Sequence, residues 1–228
     1  MATPGAPEVW DGNFAGAVTD ADAAIAELDA QMTHSRWRVV RTDALTPPKV
    51  EATLALRGFV ERVLTVEMVS ERAVVAPAGA RIDVHSVGDE SGWVRFAALL
   101  RTDHHEGART RGPIADHVSE GLLAEMRGKA PACRFELIEY QGETVGYGSR
   151  TLCPNGLGMI ESLFVLPAWR RRGIMSAYIA YAAAALHREG ANRIFLDAYP
   201  DGTAARLYAA LGFAPVALAR AWVLERLA

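Results

Sequence analysis

The sequence has little of what marks a disulfide-stabilised, exported or nucleic-acid-binding protein. It contains only two cysteines, Cys133 and Cys153. Two are too few for a disulfide framework, and we expect each to be a small buried hydrophobic residue rather than a nucleophile. Excess charge is also absent, because the formal net charge is -3 at pH 7. The chain therefore has no general attraction to nucleic acid, and we expect no such partner.

Long hydrophobic runs are missing as well. The longest, from Ile179 to Leu186, is too short and too rich in alanine to cross a bilayer. The segment from Met1 to Asp11 has neither the basic start nor the apolar core of a signal peptide, so we expect none. Together these absences predict a protein of the reducing cytoplasm with no membrane partner.

The composition that remains is that of an ordinary globular protein. The 228 residues are 50% hydrophobic and 22% charged, which suits one large domain or one domain with a smaller lobe. Helix and strand patterns alternate. Before a linker rich in alanine, proline and glycine at 76–80, they predict helices at 20–32 and 48–58 and strands at 36–42 and 63–69. After it, they predict strands at 81–87, 134–140, 144–152, 158–165, 193–198 and 217–224, helices at 93–100, 116–127, 174–188 and 204–211, and a polar loop at 101–113. This alternation predicts an α/β or α+β sandwich around a mixed sheet.

The chain also carries an internal repeat. Shifted by 154 positions, Asp43-Ala44 falls on Asp197-Ala198 and Gly58-Phe59 falls on Gly212-Phe213. The predicted order of helix, strand, helix and strand matches in both stretches. A duplication explains these matches, and the alternative is that two unrelated units share ordinary cap chemistry.

The strongest local signal is a strand that ends at a proline and is followed by a basic turn and a helix. The strand covers 159–165, Pro167 ends it, and Arg170-Arg171-Arg172-Gly173 leads directly into a helix at Ile174. The first amides of a helix have no internal partners and lie at the positive end of its dipole, so a diphosphate is a natural ligand for them. Glycine allows close approach of the backbone, and the arginines add positive charge. Three arginines without this context would indicate a solvated basic turn with no ligand, and that is the alternative interpretation.

In these residues the chain resembles the GNAT superfamily of acetyl-CoA-dependent N-acetyltransferases. That family carries Arg/Gln-x-x-Gly-x-Gly/Ala after its central strand, matched here by Arg170 and Gly173, with Met175 at the usual small position. The family's strand often ends in Leu-x-Val before a proline, as Leu163-Phe164-Val165 does, and its last helix carries Leu-Tyr and then Gly-Phe, matched by Leu207-Tyr208 and Gly212-Phe213. The resemblance implies that this strand separates from its neighbour. It also implies acetyl-CoA binding by the backbone of Leu163, Phe164 and Val165 and by the loop residues Arg170, Arg171, Arg172, Gly173, Ile174, Met175 and Ser176.

The resemblance also implies an architecture. We expect a mixed, mostly antiparallel central sheet flanked by helices at 77–228, and an additional degenerate αβαβ lobe at 1–76. The lobe lacks the chemistry of its counterpart, because Leu54 stands where Tyr208 stands and Gly16 to Asp22 contains no basic residue. We expect it to extend the sheet, cover the acceptor cleft or replace a dimer partner.

The chemistry of amine acetylation selects the candidate catalytic residues. A tyrosine holds its proton at neutral pH and can give it to a leaving thiolate, and Tyr208 matches the position of this acid in the resembling enzymes. The alternative role for Tyr208 is that of a packing residue in the core. For the base we favour Glu161, a charge in an otherwise apolar strand, over Asp197, because Asp43 repeats Asp197 in a half with no evident active site.

The remaining expectations concern metals and partners. The consecutive residues Asp103-His104-His105-Glu106 suggest a metal cluster, but consecutive side chains point in different directions and we expect no metal. We expect a loop here that borders the acceptor cleft. The expected partner is a small-molecule or peptide amine, with the protein a monomer or homodimer. A non-catalytic acyl-CoA-binding module is the alternative function.

Overall fold

The structure is a computed structural model that describes residues 2–5, 7–10, 13–77, 80–111, 114–130 and 132–226, with the backbone alone at 107–111. The helices are α1 (Ala21–Gln31), α2 (Pro48–Leu56), α3 (Glu90–Arg111), α4 (Asp116–Lys129), α5 (Ile174–Arg188) and α6 (Thr203–Ala210). The strands are β1 (Trp37–Thr42), β2 (Val60–Ser70), β3 (Asp83–Ser86), β4 (Arg134–Tyr140), β5 (Glu143–Leu152), β6 (Leu157–Val165), β7 (Arg193–Ala198) and β8 (Ala214–Glu225). None of the described helices is long and apolar enough to span a membrane.

The eight strands form one sheet in the order β1-β8-β2-β7-β6-β5-β4-β3. All neighbours pair antiparallel except β6 and β7, which run parallel. The predicted fold class, a mixed and mostly antiparallel sheet flanked by helices, is confirmed.

Helices pack on both faces of the sheet. Core residues of α5 and α6 pack with β6 and β7, and those of α1 and α2 pack with β1 and β8. Aromatic side chains of α3 pack with β4 and β5 in a separate cluster. On one face of the sheet, around β1, β8, β2 and β7, none of the described helices covers the strands, and a large cavity lies there.

The first 76 residues and the rest of the chain share this sheet. Strand β2 lies between β7 and β8, and β8 lies between β1 and β2. Strand β2 pairs with β8 from Val60 to Val69 and with β7 from Val66 to Ser70. The N-terminal segment therefore extends the sheet, one of its three expected roles, while the division into lobes at residue 76 stays a prediction.

The two halves of the repeat are arranged about a pseudo-twofold axis. The shift of 154 residues places α1, β1, α2 and β2 on α5, β7, α6 and β8. The ends of α2 and α6 make the same hydrogen bond, from Phe59 N to the Leu54 carbonyl and from Phe213 N to the Tyr208 carbonyl, both at 3.0 Å. Thr65 of β2 pairs with its own repeat equivalent, Ala219 of β8. The axis therefore passes between these two strands.

Candidate active site

The site begins where two parallel strands separate. Strand β6 pairs with β7 only from Leu157 to Met159, whereas its pairing with β5 continues to Val165. The β5–β6 register shifts between Tyr147 and Ser149, and Ser162 in that stretch has φ 53°. Such a bulge bends the strand and re-aims its side chains. The separation implied by the family resemblance is therefore present, and it leaves backbone groups of β6 facing a gap.

The loop after β6 is shaped for close contact by its backbone. Pro167–Trp169 forms one turn of 3-10 helix, and Arg171 and Gly173 then take φ values of 61° and 77°. Left-handed residues in such a turn point successive N–H groups into a concavity that suits anions. Gly173 is the N-cap of α5, so the unpaired first amides of the helix follow immediately. A side chain at Gly173 would strain this left-handed backbone.

The three arginines of the loop were all expected to add positive charge at a diphosphate site, but two of them have partners within the protein. Arg170 donates through Nε to the Val165 carbonyl at 2.8 Å, and its guanidinium forms an ion pair with Glu106. Arg172 lies over the Trp169 ring, 4.9 Å from its centroid. Two of the three guanidiniums thus have partners within the protein, and the anion-binding capacity of the loop rests on its backbone as much as on their charge.

The other predicted contact residues divide between surface and core. Leu163 lines the cavity and is partly buried. The remaining side chains are buried or packed against the core: Phe164, Val165, Ile174, Met175 and Ser176.

The predicted loop at 101–113 is wrong, because α3 continues to Arg111 and 112–113 lie outside the described residues. The candidate metal-binding residues of this segment contact separate partners. The Tyr147 hydroxyl donates to Asp103 at 2.7 Å, His104 contacts the Ser119 hydroxyl at 2.6 Å, and Glu106 holds Arg170. Within the described part of the chain, no group of three or more His, Cys, Asp or Glu side chains is placed to hold a metal ion.

A cavity of about 860 Å³ opens beside the strand separation. Its floor is the open face of the sheet, and Trp10 and Phe14 of the N-terminal segment form part of its wall. The three candidate catalytic residues, Glu161, Asp197 and Tyr208, all line it. The N-terminal segment therefore contributes to the wall of this cavity, and its expected role in covering the acceptor cleft stays a prediction.

Tyr208 is 5% exposed. Burial, with a smaller contribution from Asp197, raises the pKa of its hydroxyl above the usual value. Among the described residues no hydrogen-bond partner for this hydroxyl is found. Tyr208 thus stays protonated at neutral pH, as a proton donor must.

Glu161 lies next to the first of the two cysteines. The Cys133 thiol approaches its Oε1 at 3.9 Å, and burial raises the pKa of that thiol, with Glu161 raising it further. Cys133 is 4% exposed, as predicted for a small buried residue, while Cys153 is only partly buried.

Two acidic residues of the cavity were not identified as site residues from the sequence. Asp43 entered the sequence analysis only as the repeat equivalent of Asp197 in a half with no evident active site, yet it lines this same cavity together with Glu67. Burial raises the pKa of Glu67, and Asp43 and Asp197 raise it further. Glu67 is the one charged residue of the predicted strand at 63–69, but nothing in the sequence connects that strand with the strand of Glu161.

A model of the acetyltransferase (GNAT) family matches residues 93–213, more than half of the chain. The chain belongs to the GNAT family. GNAT membership supports acyl transfer as the reaction class. No curated protein matches the sequence.

Solved structures show the same fold at low sequence identity. A functionally unknown conserved protein from Staphylococcus epidermidis has a TM-score of 0.70 and 12% identity over 100% of this chain and 90% of its own. A GCN5-related N-acetyltransferase from Kribbella flavida has a TM-score of 0.62 and 19% identity over 90% and 77%. A tandem GNAT protein from the clavulanic acid biosynthesis pathway has a TM-score of 0.60 and 15% identity over 90% and 69%. At these identities the likeness establishes the fold alone.

Proposed function

We propose that this GNAT protein transfers an acetyl group from acetyl-CoA to a primary amine of a small molecule or peptide. One observation carries the proposal: the gap between β6 and β7 lies beside a cavity lined by Glu161, Asp197 and Tyr208. A cofactor arm in the gap and an amine in the cavity would meet at these side chains.

The loop before α5 is our proposed diphosphate site. Amides of the segment from Arg171 to Ser176 supply hydrogen-bond donors at the positive end of the helix dipole. Gly173 supplies the left-handed conformation at the N-cap. Arg170, through its bonds to Val165 and Glu106, fixes the loop to the end of β6 and to α3. The backbone of Leu163, Phe164 and Val165 would hold the pantetheine arm along the open edge of β6.

Proton transfers complete the proposed chemistry. A primary amine with a pKa near 10.4 is protonated at pH 7, so a carboxylate must accept a proton before attack. Glu161 accepts it, with Asp197, directly or through water, as the competing base. A backbone amide of the separated strand polarises the thioester carbonyl. Tyr208 then donates its proton to the leaving thiolate, and the second proton lost by the attacking nitrogen restores the Tyr208 hydroxyl. The products are the N-acetyl amine and free CoA, with one proton released to solvent from the base.

Acetyl-CoA binding is tested by thermal unfolding. A ligand at 100 times its dissociation constant adds about 2.7 kcal/mol of stability, which raises Tm by roughly 5–10 °C for a chain of this size. Gly173→Glu should abolish this shift, because it places a negative charge at the phosphates.

Gly190→Glu is the matched control. Gly190 lies beyond the other end of α5 with φ 107° and open space around it. The Gly190→Glu substitution therefore adds the same charge and similar backbone strain far from the loop. No shift in wild type, or equal shifts in both variants, would remove the basis of the proposal. Release of CoA thiol with a panel of amines tests turnover, and binding without turnover would favour a non-catalytic acyl-CoA-binding module.

A further inference from the structure

The N-terminal segment is fixed to the edge of the sheet where it meets the cavity. Ala15 forms a parallel bridge with β1 through two backbone hydrogen bonds of 2.9 and 2.8 Å. Asn13 is 1% exposed, and its side-chain amide donates to the carbonyl of Val9, which is also buried, at 2.8 Å. The described residues 7–10 and 13–15 therefore form a fixed wall and not a loose tail.

Trp10 is the largest side chain of this wall that lines the cavity. Its ring packs edge-to-face against Trp37, with 5.5 Å between the ring centroids. Trp37 is held in turn, because its Nε1 donates to Glu8 Oε2 at 2.8 Å. The Ser35 hydroxyl donates to the Pro7 carbonyl at 2.5 Å. These contacts orient Trp10 before an acceptor arrives, so little conformational entropy is lost when an acceptor packs against it.

A hydrophobic cluster contributes to the same end of the cavity. Its members that line the cavity come from the N-terminal segment and from β1, β2 and β8: Trp10, Phe14, Val39, Val63 and Ala221. An apolar group that packs against this surface gains from the burial of its area, and an aromatic ring gains further from ring–ring contact.

The cavity is much longer than the reacting group of an amine. It is lined by residues of β6, β7, β2, β8 and β1, five consecutive strands of the sheet. Neighbouring strands lie about 4.8 Å apart, so the four intervals cover roughly 19 Å. The volume of about 860 Å³ lies in the upper part of the roughly 300–1,000 Å³ range of small-molecule pockets. An amine that reacts at Glu161 and also fills the cavity must therefore be elongated.

The repeat accounts for the position of this wall. The shift of 154 residues places Trp10 on Phe164 and 13–15 on 167–169, the turn after β6. The two segments precede equivalent helices, α1 and α5. In the second half the segment continues into the proposed diphosphate loop, but 16–22 contains no basic residue. The first half therefore has a wall of the cavity without a phosphate loop.

We propose that the acceptor is an elongated amine, roughly 15–20 Å long, whose far end carries an aromatic or hydrocarbon group packed against Trp10. The reacting nitrogen lies at Glu161 and Tyr208, and Trp10 selects acceptors by the length and polarity of the rest of the molecule. This inference rests on the proposed function and narrows it to a substrate class. It gives the N-terminal segment a role in acceptor recognition, because a short or polar-ended amine leaves the Trp10 surface unfilled.

The test uses phenylalkylamines in which roughly two to ten methylene groups separate the amine from the ring, so that the longest spans the cavity. Titration calorimetry measures their binding to the CoA-saturated protein, and thiol release measures KM and kcat with acetyl-CoA. In wild type we expect KM to fall as the chain lengthens until the ring reaches Trp10. Trp10→Ala should raise the KM of the longest amines by roughly tenfold and leave the KM and kcat of the shortest unchanged.

Two further variants show whether the ring of Trp10 is responsible. Trp10→Phe keeps an aromatic surface at this position and should retain most of the preference for long amines. Leu56→Ala is the control, because it removes an apolar side chain that is 87% exposed at the end of α2. It should leave the dependence of KM on chain length as in wild type.

The outcomes separate the two proposals. Wild-type binding that does not depend on chain length, or that favours an amino group over the phenyl ring at the far end, would overturn this inference even if short amines are acetylated. An equal effect of Trp10→Ala on short and long amines would also overturn it. Length-dependent binding that Trp10→Ala abolishes, without thiol release from any amine, would support the elongated site and refute the transferase. If Trp10→Ala loses the acetyl-CoA thermal shift, Trp10→Phe and the wild-type series decide the matter.

Discussion

Removing the hydroxyl of Tyr178 and removing that of Tyr208 should have opposite effects, although both residues are buried in the same core. The first change should lower stability, and the second should lower activity. Tyr178 is fully buried, and its hydroxyl donates to Glu136 Oε2 at 2.9 Å. The other oxygen of Glu136 accepts from Arg150 Nε at 3.1 Å. Tyr178→Phe therefore leaves a buried, charged acceptor unsatisfied, which costs about 1–3 kcal/mol. In a chain of this size the loss lowers Tm by roughly 2–12 °C.

Tyr208→Phe should behave differently because no described residue pairs with its hydroxyl. Its removal leaves no protein group unsatisfied, so we expect Tm within about 2 °C of wild type. If Tyr208 is the proton donor, kcat falls by roughly 10²- to 10⁴-fold with little change in acetyl-CoA affinity. Tyr178→Phe, measured below its own Tm, should keep kcat within about tenfold of wild type.

The assay pairs differential scanning fluorimetry with steady-state thiol release, under conditions where chemistry limits the rate. An unchanged kcat in Tyr208→Phe would show that Tyr208 is a packing residue of the core and not the proton donor. A fall in its Tm comparable to that of Tyr178→Phe would show that the hydroxyl makes a structural hydrogen bond and would refute the reasoning.

Three further predictions follow from the site. Glu161→Gln should shift or flatten the alkaline-rising limb of the pH–rate profile, and a wild-type profile would favour Asp197 or no side-chain base. Glu67 has a folded-state pKa above its unfolded value, so its charge destabilises the fold above that pKa and the penalty vanishes in acid. After allowance for solvent screening, Glu67→Gln should therefore stabilise the protein by a few tenths of a kcal/mol at pH 7 and by nothing near pH 4, and an equal effect at both pH values would contradict the argument. Calorimetric titration should give one CoA per chain, because Asp20 and Asp22 at the start of α1 repel phosphate, and a ratio near two that survives Gly173→Glu would refute this.

The parts of the fold that the sequence predicted are those set by local chemistry. The proline and glycine around α5, and the glycines with φ 86° and 91° after α2 and α6, fix ends that can be identified from a few residues. All eight strands were predicted within a few residues of their bounds. Strand order was not, because the position of β2 between β7 and β8 depends on partners over 120 residues away.

The errors also have physical reasons. The polar run at 101–106 was taken for a loop because its side chains are charged, yet Asp103, His104 and Glu106 each find a partner across the structure that supports a longer helix. Glu67 was missed because the sequence showed no reason to connect β2 with the catalytic strands. Only the pairing of Glu67 with Asp197 reveals that connection.

The interleaving of the strands has a consequence for how the protein is made. Strand β8 follows the other seven strands along the chain, yet in the sheet it lies between β1 and β2. In the nascent chain β1 and β2 therefore lack the strand that separates them until β8 has been synthesised. Such long-range pairing folds slowly and leaves strand edges open to aggregation. Deletion of 214–226 should consequently disrupt both halves together, and the edges of β1 and β2 need protection until β8 pairs with them.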